Sequence, residues 1–311
     1  MSKFQPVWPM LANSDDRQSL EWAIDECRSL VLAQQGAQDL ATSRRVIDAF
    51  FDRWPPVEGV ERETFDVDGV PCHRYVSAGH SGTGRLLYVH GGGFTSGSGA
   101  RNQAMLGRMA ATGGFEVWAC DYRLAPEHHF PAALDDVDSA LDHLLSACDG
   151  APVALAGDSA GGGLATAAVL RRMSRQLSIP RAVALFSPLL DLRATAQSYT
   201  TNASSDVMLT ATIVQLMSRA YARRQTTDPD ASPLLAGSFV GFPPTSLYAS
   251  AHEVLLDDTL NVADRLRCDE VPVRVHLEPG APHVWTIFGD SLPQARATLE
   301  DAASFLASHL S

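Results

Sequence analysis

The sequence predicts an α/β fold built on a mostly parallel sheet with helices on both faces. Short apolar runs recur along the chain, and amphipathic stretches of helical length separate most of them. No run approaches the ~20 consecutive apolar residues of a membrane span. With 311 residues, 45% of them hydrophobic and 19% charged, the chain can bury a large core without metal or disulfide staples.

The first fifty residues read as helical. Leu20, Ile24, Cys27, Leu30 and Val31 recur at helical spacing, then Val46, Ile47, Phe50 and Phe51. Trp54-Pro55-Pro56 closes this part, because proline and the residue before it both resist helix. We therefore expect a helical N-terminal cap segment over 1–55 and the main α/β domain over 56–311. Within it, strands are expected at Glu61–Val67 and Pro71–Ser77, around a tight turn at Asp68-Gly69. Further strands are expected at Arg85–His90, Val117–Tyr122, Pro152–Gly157, Arg181–Phe186, Ser246–Ala251 and Val273–Leu277. Helices are expected near Asn102–Thr112, Ala132–Ala147, Gly161–Leu177, Asp258–Cys268 and Leu292–His309. Between Leu190 and Pro243 the rhythm breaks, leaving a polar stretch and one helix near Leu209–Arg223; we read 190–225 as a small helical cap insertion.

Charge and cysteines narrow the function. Lys and Arg number 24 against 36 Asp and Glu, for a net charge of -12. Nucleic-acid binding should carry a basic footprint, so that partner is not expected. Cys27, Cys72, Cys120, Cys148 and Cys268 are odd in number and contain no CxxC pair, so neither a disulfide framework nor a metal site is indicated. Cys120, in an apolar run, reads as a buried thiol. Residues 1–20 contain Lys3 but no apolar core after it, so no secretory signal is expected and the cytoplasm is the expected location.

The sharpest chemical signal is Gly157-Asp158-Ser159-Ala160-Gly161, which follows an apolar strand and opens a helix. A Gly-x-Ser-x-Gly turn in that context presents the serine as a nucleophile at the positive helix end. A serine that merely caps the helix is the bland alternative. Upstream, His90-Gly91-Gly92-Gly93-Phe94 follows another strand. Its glycines leave backbone N–H groups bare, able to face a developing oxyanion. No lysine follows them as in a Walker loop, and the dinucleotide GxGxxG spacing is missing.

Together with Asp121-Tyr-Arg-Leu-Ala-Pro-Glu127 and Phe130-Pro131-Ala132, these motifs resemble the hormone-sensitive-lipase family of α/β-hydrolases, mostly bacterial esterases. The resemblance spans about Leu86 to His283. It implies the α/β-hydrolase fold with an eight-stranded, mostly parallel sheet and a small helical cap. It implies an oxyanion hole from the N–H groups of Gly92, Gly93 and Ala160, with His90 organising the loop, and a monomer or a homodimer through the last strand.

A triad base should come last in the chain. His283, in a Gly/Pro-rich turn after the final strand, is the candidate; His276 lies within that strand, and His128-His129 lack further metal partners. The family places an aspartate and proline after strand seven, where this chain reads Glu253-Val-Leu-Leu-Asp257-Asp258. Register favours Glu253 as the acid, with Asp257 as the alternative; Asp257 and Asp258 otherwise complement the next helix. Asp135, Asp136 and Asp138 read as helix-dipole complements on a solvated face, and Arg171-Arg172 and Arg223-Arg224 as surface pairs. Phe94, Met208, Met217 and Trp285 are candidate apolar walls for the substrate.

The expected activity is hydrolysis of short-chain acyl esters by a serine carboxylesterase, with no cofactor, a small-molecule ester as partner and no membrane span. Lactone opening and acyl transfer use the same residues. A silent ligand-binding module of this fold is the remaining alternative.

Overall fold

In the computed structural model, which describes residues 14–80, 84–147 and 150–311, eight strands form one sheet. Cys148 lies outside these residues. Strands β1 (Val60–Val67) and β2 (Val70–Ser77) form an antiparallel hairpin around Asp68-Gly69. β2 pairs antiparallel with β4 (Glu116–Cys120). From β4 onward the sheet is parallel through β3 (Arg85–Val89), β5 (Val153–Asp158), β6 (Val183–Phe186), β7 (Thr245–Ser250) and β8 (Val273–Glu278). The spatial order is β1-β2-β4-β3-β5-β6-β7-β8. Every residue of β5, β6 and β7 is buried. Both faces of these strands are covered, which is why they read as continuous apolar runs rather than alternating ones. Cys120 is fully buried at the end of β4.

One face of the sheet packs α3 (Gln103–Gly113), α9 (Pro293–Leu310) and the N-terminal helices α1 (Ser14–Gln35) and α2 (Leu40–Phe51). The other packs α4 (Ala132–Ala147), α5 (Ser159–Ser174) and α8 (Leu256–Cys268). Asp39 starts α2 by accepting the Thr42 N–H at 2.7 Å, a side-chain cap. The N-terminal helices are anchored by edge-on aromatic contacts among Trp22, Phe50, Trp54 and Phe288. Arg44 on α2 adds a polar anchor. Its Nε donates to Thr95 O at 2.7 Å, and its guanidinium reaches Ala125 O and both oxygens of Glu127. That hydrogen-bonded pairing pulls the Glu127 carboxyl down to about 2. Between β6 and β7 the chain forms a single-turn helix, α6 (Ser198–Thr201), and α7 (Ala211–Ala222), which Thr210 caps. No described helix is long and apolar enough to cross a membrane.

Two expectations about charge are corrected. Arg171 and Arg172 are not surface residues but 7% and 2% exposed. Arg171 pairs with Asp135 and Asp230, and Arg172 with Asp138 and Asp142. Asp136, also buried, holds Arg123 in a two-pronged pair. The aspartates therefore serve as partners, not as a free solvated face. α4 and α5 pack side by side, so the arginine stems lie along the interface while their heads reach carboxylates.

Asp258, in the first turn of α8, is fully buried. One of its oxygens accepts the N–H groups of Leu190 and Asp191 at 2.8 and 3.0 Å, and the other has no partner among the described residues. Burial pushes its carboxyl up to about 7 against the pull of those two bonds. In the unfolded chain it ionises near pH ~4. Between about pH 4 and 7 the folded chain binds a proton that the unfolded chain has lost, so this group's contribution to stability falls as pH rises. Asp258→Asn keeps an acceptor for the two amides and removes the buried charge. It should raise Tm at pH 8 clearly more than at pH 4.5; equal shifts in thermal melts at the two pH values would reject the assignment.

Candidate active site

The site forms where β5, β7 and β8 end, the rim at which parallel α/β sheets gather functional groups. β5 stops at Asp158 and α5 begins at once with Ser159, whose φ is +50°. A non-glycine residue held in the left-handed region stores local strain, and here it lifts the side chain clear of strand and helix. Gly161 permits the turn: a Cβ there would lie 2.1 Å from Val89 O.

Three side chains from distant parts of the sequence meet. Ser159 Oγ lies 3.0 Å from His283 Nε2, and His283 Nδ1 lies 2.5 Å from Glu253 Oε2. The other Glu253 oxygen accepts the Ser250 N–H at 3.0 Å. Glu253 is 1% exposed, His283 4% and Ser159 9%, so the line of hydrogen bonds runs from the core to the cavity floor. Asp257 is not part of it. Its carboxylate accepts the Ser198 N–H at 2.8 Å.

Burial opposes protonation of His283, but the hydrogen bond to Glu253 and that carboxylate's charge outweigh it, with Asp206 and Asp158 adding to them. The imidazole is therefore held above the ordinary histidine range. Burial pushes Glu253 upward, countered by its bond to the same ring.

The glycine loop is fastened to the serine turn. Asp158, buried, accepts the Gly91 N–H at 2.8 Å and the Tyr88 hydroxyl at 2.6 Å on one oxygen. Gly92 O accepts from the backbone and hydroxyl of Ser96. His90 does not reach Ser159; it stacks on Tyr122, which donates its hydroxyl to His90 O. Gly92 and Gly93 line the same cavity as Ser159 and His283. Ala160 is fully buried in the first turn of α5, where amides lack intrahelical acceptors. Gly93 has φ +61°, and a Cβ on it would lie 2.3 Å from Met217 Sδ, so the thioether covers this glycine.

The cavity has a volume of about 540 Å³. Its walls come from Leu30 and Val31 of α1, Ile47 and Phe51 of α2, and Met208 and Met217 around α7. Among the described residues, no lysine or arginine lines it. Two expected wall residues are corrected. Phe94 is 1% exposed and stacked face to face on Tyr221, with ring centroids 4.0 Å apart. Trp285 is fully buried in the core on the α3/α9 face. Neither lines the cavity, because both rings turn away into the packing that supports the loops they belong to.

Sequence reasoning missed Ser187, which follows β6 with φ +47° and no exposure. Its hydroxyl accepts the Val284 N–H at 3.3 Å and lies near enough to the Glu253 carboxylate to favour its charged form. The N-terminal helices are expected to line the pocket, but the sequence does not single out which residues of α1 and α2 do so. Neither feature carries a motif.

Residues 86–287 match the alpha/beta hydrolase fold family. The chain is 34% identical to an acetyl-hydrolase of Streptomyces hygroscopicus over 79% of its own length and 86% of that protein. It is 30% identical to an ethyl acetate hydrolase of Pseudomonas putida, over 72% and 73% of the two chains. A crystal structure of an esterase from the bacterial hormone-sensitive lipase family superposes with a TM-score of 0.90 and 31% identity, covering 94% of this chain and 99% of that one. With the motifs, the sheet order and these likenesses in agreement, the chain belongs to the hormone-sensitive-lipase family of α/β-hydrolases and is a carboxylic ester hydrolase.

Proposed function

We propose that the protein is a serine carboxylesterase for neutral, short-chain acyl esters, working through an acyl-enzyme. Ser159 Oγ attacks the ester carbonyl while His283 Nε2 takes its proton. Glu253 fixes the imidazole tautomer through Nδ1 and stabilises the imidazolium. The N–H groups of Gly92, Gly93 and Ala160 receive the oxyanion, each contributing roughly 3 kcal/mol where such donors have been removed. His283 then gives its proton to the leaving alkoxide. Water, deprotonated by the same ring, attacks the acyl-enzyme, and Ser159 leaves with the proton restored. The helices of 1–55 and the 190–225 segment act as a cap over the bound ester.

The reading is carried by the hydrogen-bonded line Ser159–His283–Glu253 opening beside Gly92 and Gly93 in an apolar cavity. The names of the acetyl-hydrolase and ethyl acetate hydrolase relatives support small acyl groups. Among the described residues no lysine or arginine lines the cavity, which argues for uncharged substrates, since a carboxylate buried there would lose hydration without a partner.

The test is turnover of p-nitrophenyl acetate and butyrate, with the hemisuccinate as an anionic comparison. Both neutral esters should be hydrolysed, the hemisuccinate with kcat/KM lower by at least about tenfold. An organophosphonate should label the peptide carrying Ser159. Labelling elsewhere, or no turnover of either neutral ester, would overturn the assignment.

A further inference from the structure

The loop that bears Glu253 is tied to its own strand through Ser250, whose N–H reaches the Glu253 carboxylate and whose hydroxyl accepts the His252 N–H. Residues 251–255 lie between the end of β7 and the start of α8, and their backbone is held largely by the segment before α7. Asn202 Nδ2 donates to Ala251 O and Glu253 O at 3.2 and 2.9 Å. Ser205 Oγ donates to His252 O at 2.9 Å, and Ser198 Oγ to Val254 O at 2.6 Å. Asp206 closes the strap from the other direction, since one carboxylate oxygen accepts the Val254 N–H at 2.8 Å.

Asp206 alone among these side chains also grips the cavity wall. Its second oxygen accepts the N–H groups of Met208 and Leu209, each at 2.9 Å, and both residues line the cavity. One carboxylate thus fixes the backbone on both sides, one residue from the acid and two from the pocket wall. A carboxylate can do this because it offers acceptors on both oxygens, whereas an amide offers one acceptor and one donor.

We propose that Asp206 is a positioning residue, tying the cavity wall at Met208–Leu209 to the loop that aims Glu253 at His283. The proposal rests on the ester-hydrolase reading of the site. Asp206 touches no reacting atom; it acts through the Glu253 backbone. Its charge reaches the ring as well, as one of three carboxylates, with Glu253 and Asp158, that favour the imidazolium.

The test compares Asp206→Ala and Asp206→Asn with the wild-type chain on p-nitrophenyl acetate, an ester too short to depend on the outer wall. Loss of the tie should lower kcat roughly 10- to 100-fold in the alanine variant, the scale of a small misplacement of catalytic groups, with KM changing less than about threefold. The acid limb of the kcat/KM profile should move to lower pH, because one negative charge near His283 is gone. Asp206→Asn should fall between the two, keeping one set of amide bonds and losing the other. The asparagine variant also carries the test if the alanine variant does not fold. A folded variant with kcat within about twofold of wild type, or a loss of kcat with an unmoved acid limb, would overturn the proposal. Ser159→Ala is run alongside: if it retains turnover, the reading of the site itself fails, whatever Asp206 does.

Discussion

Ser159→Ala should lower kcat for p-nitrophenyl butyrate by on the order of 10⁶, the scale seen when a triad nucleophile is removed. The hydroxyl lies 3.0 Å from a buried imidazole and beside the glycine loop in the same cavity. Without it, His283 has no partner to deprotonate except water. Residual catalysis would come from the oxyanion amides and from binding alone. The variant should fold, because losing one oxygen on the cavity floor opens no core void, and a residue at φ +50° remains at that turn. Its thermal melt separates the loss of chemistry from any loss of structure. A variant retaining even a hundredth of wild-type kcat would place the nucleophile elsewhere.

Glu253→Gln is expected to cost about 10³- to 10⁴-fold in kcat, the range for neutralising a triad acid while keeping its shape. Two effects act together. The amide can present an N–H to Nδ1 and favour the wrong tautomer, and the charge that stabilises the imidazolium disappears. The bond and charge of Glu253 are what hold the His283 pKa up against burial. Removing them lets burial win, so the ring stays neutral to lower pH and the acid limb of the profile moves down. Asp257→Asn should do neither. Its side chain bonds the Ser198 N–H, and the asparagine oxygen can replace it. Kinetics of the two variants across pH 5–9 should therefore rank Glu253 far above Asp257; the reverse ranking would transfer the role.

Much of the sheet is legible in the sequence because buried parallel strands have no polar face to hide. Leu86–Val89, Val153–Ala156 and Val183–Phe186 stand out as apolar runs, and each falls in a strand. Gly157 to Gly161 is legible for a related reason: its close backbone approaches leave no room for side chains, so the physics is written as residue identity. Features built from partners far apart in the chain are not legible in this way. Arg171 and Arg172 look like surface residues until α4 brings Asp135, Asp138 and Asp142 against them. Phe94 and Trp285 illustrate the same limit, since a large ring next to a motif can turn toward the ligand or toward the core. The chemical identity of Ser187 says nothing of a hydroxyl wedged between Glu253 and Val284.

Arg44 makes the N-terminal helices more than a wall. Through Thr95 O it grips the stretch just beyond Gly92 and Gly93, through Ala125 O the loop after β4, and Glu127 locks the guanidinium in place. Exchanging the first fifty-five residues with those of a relative, to graft a different substrate preference, would therefore transplant a brace along with the pocket lining. Such a chimaera needs Arg44 and Glu127 to travel as a matched couple, or its new helices lose this tie to the rim.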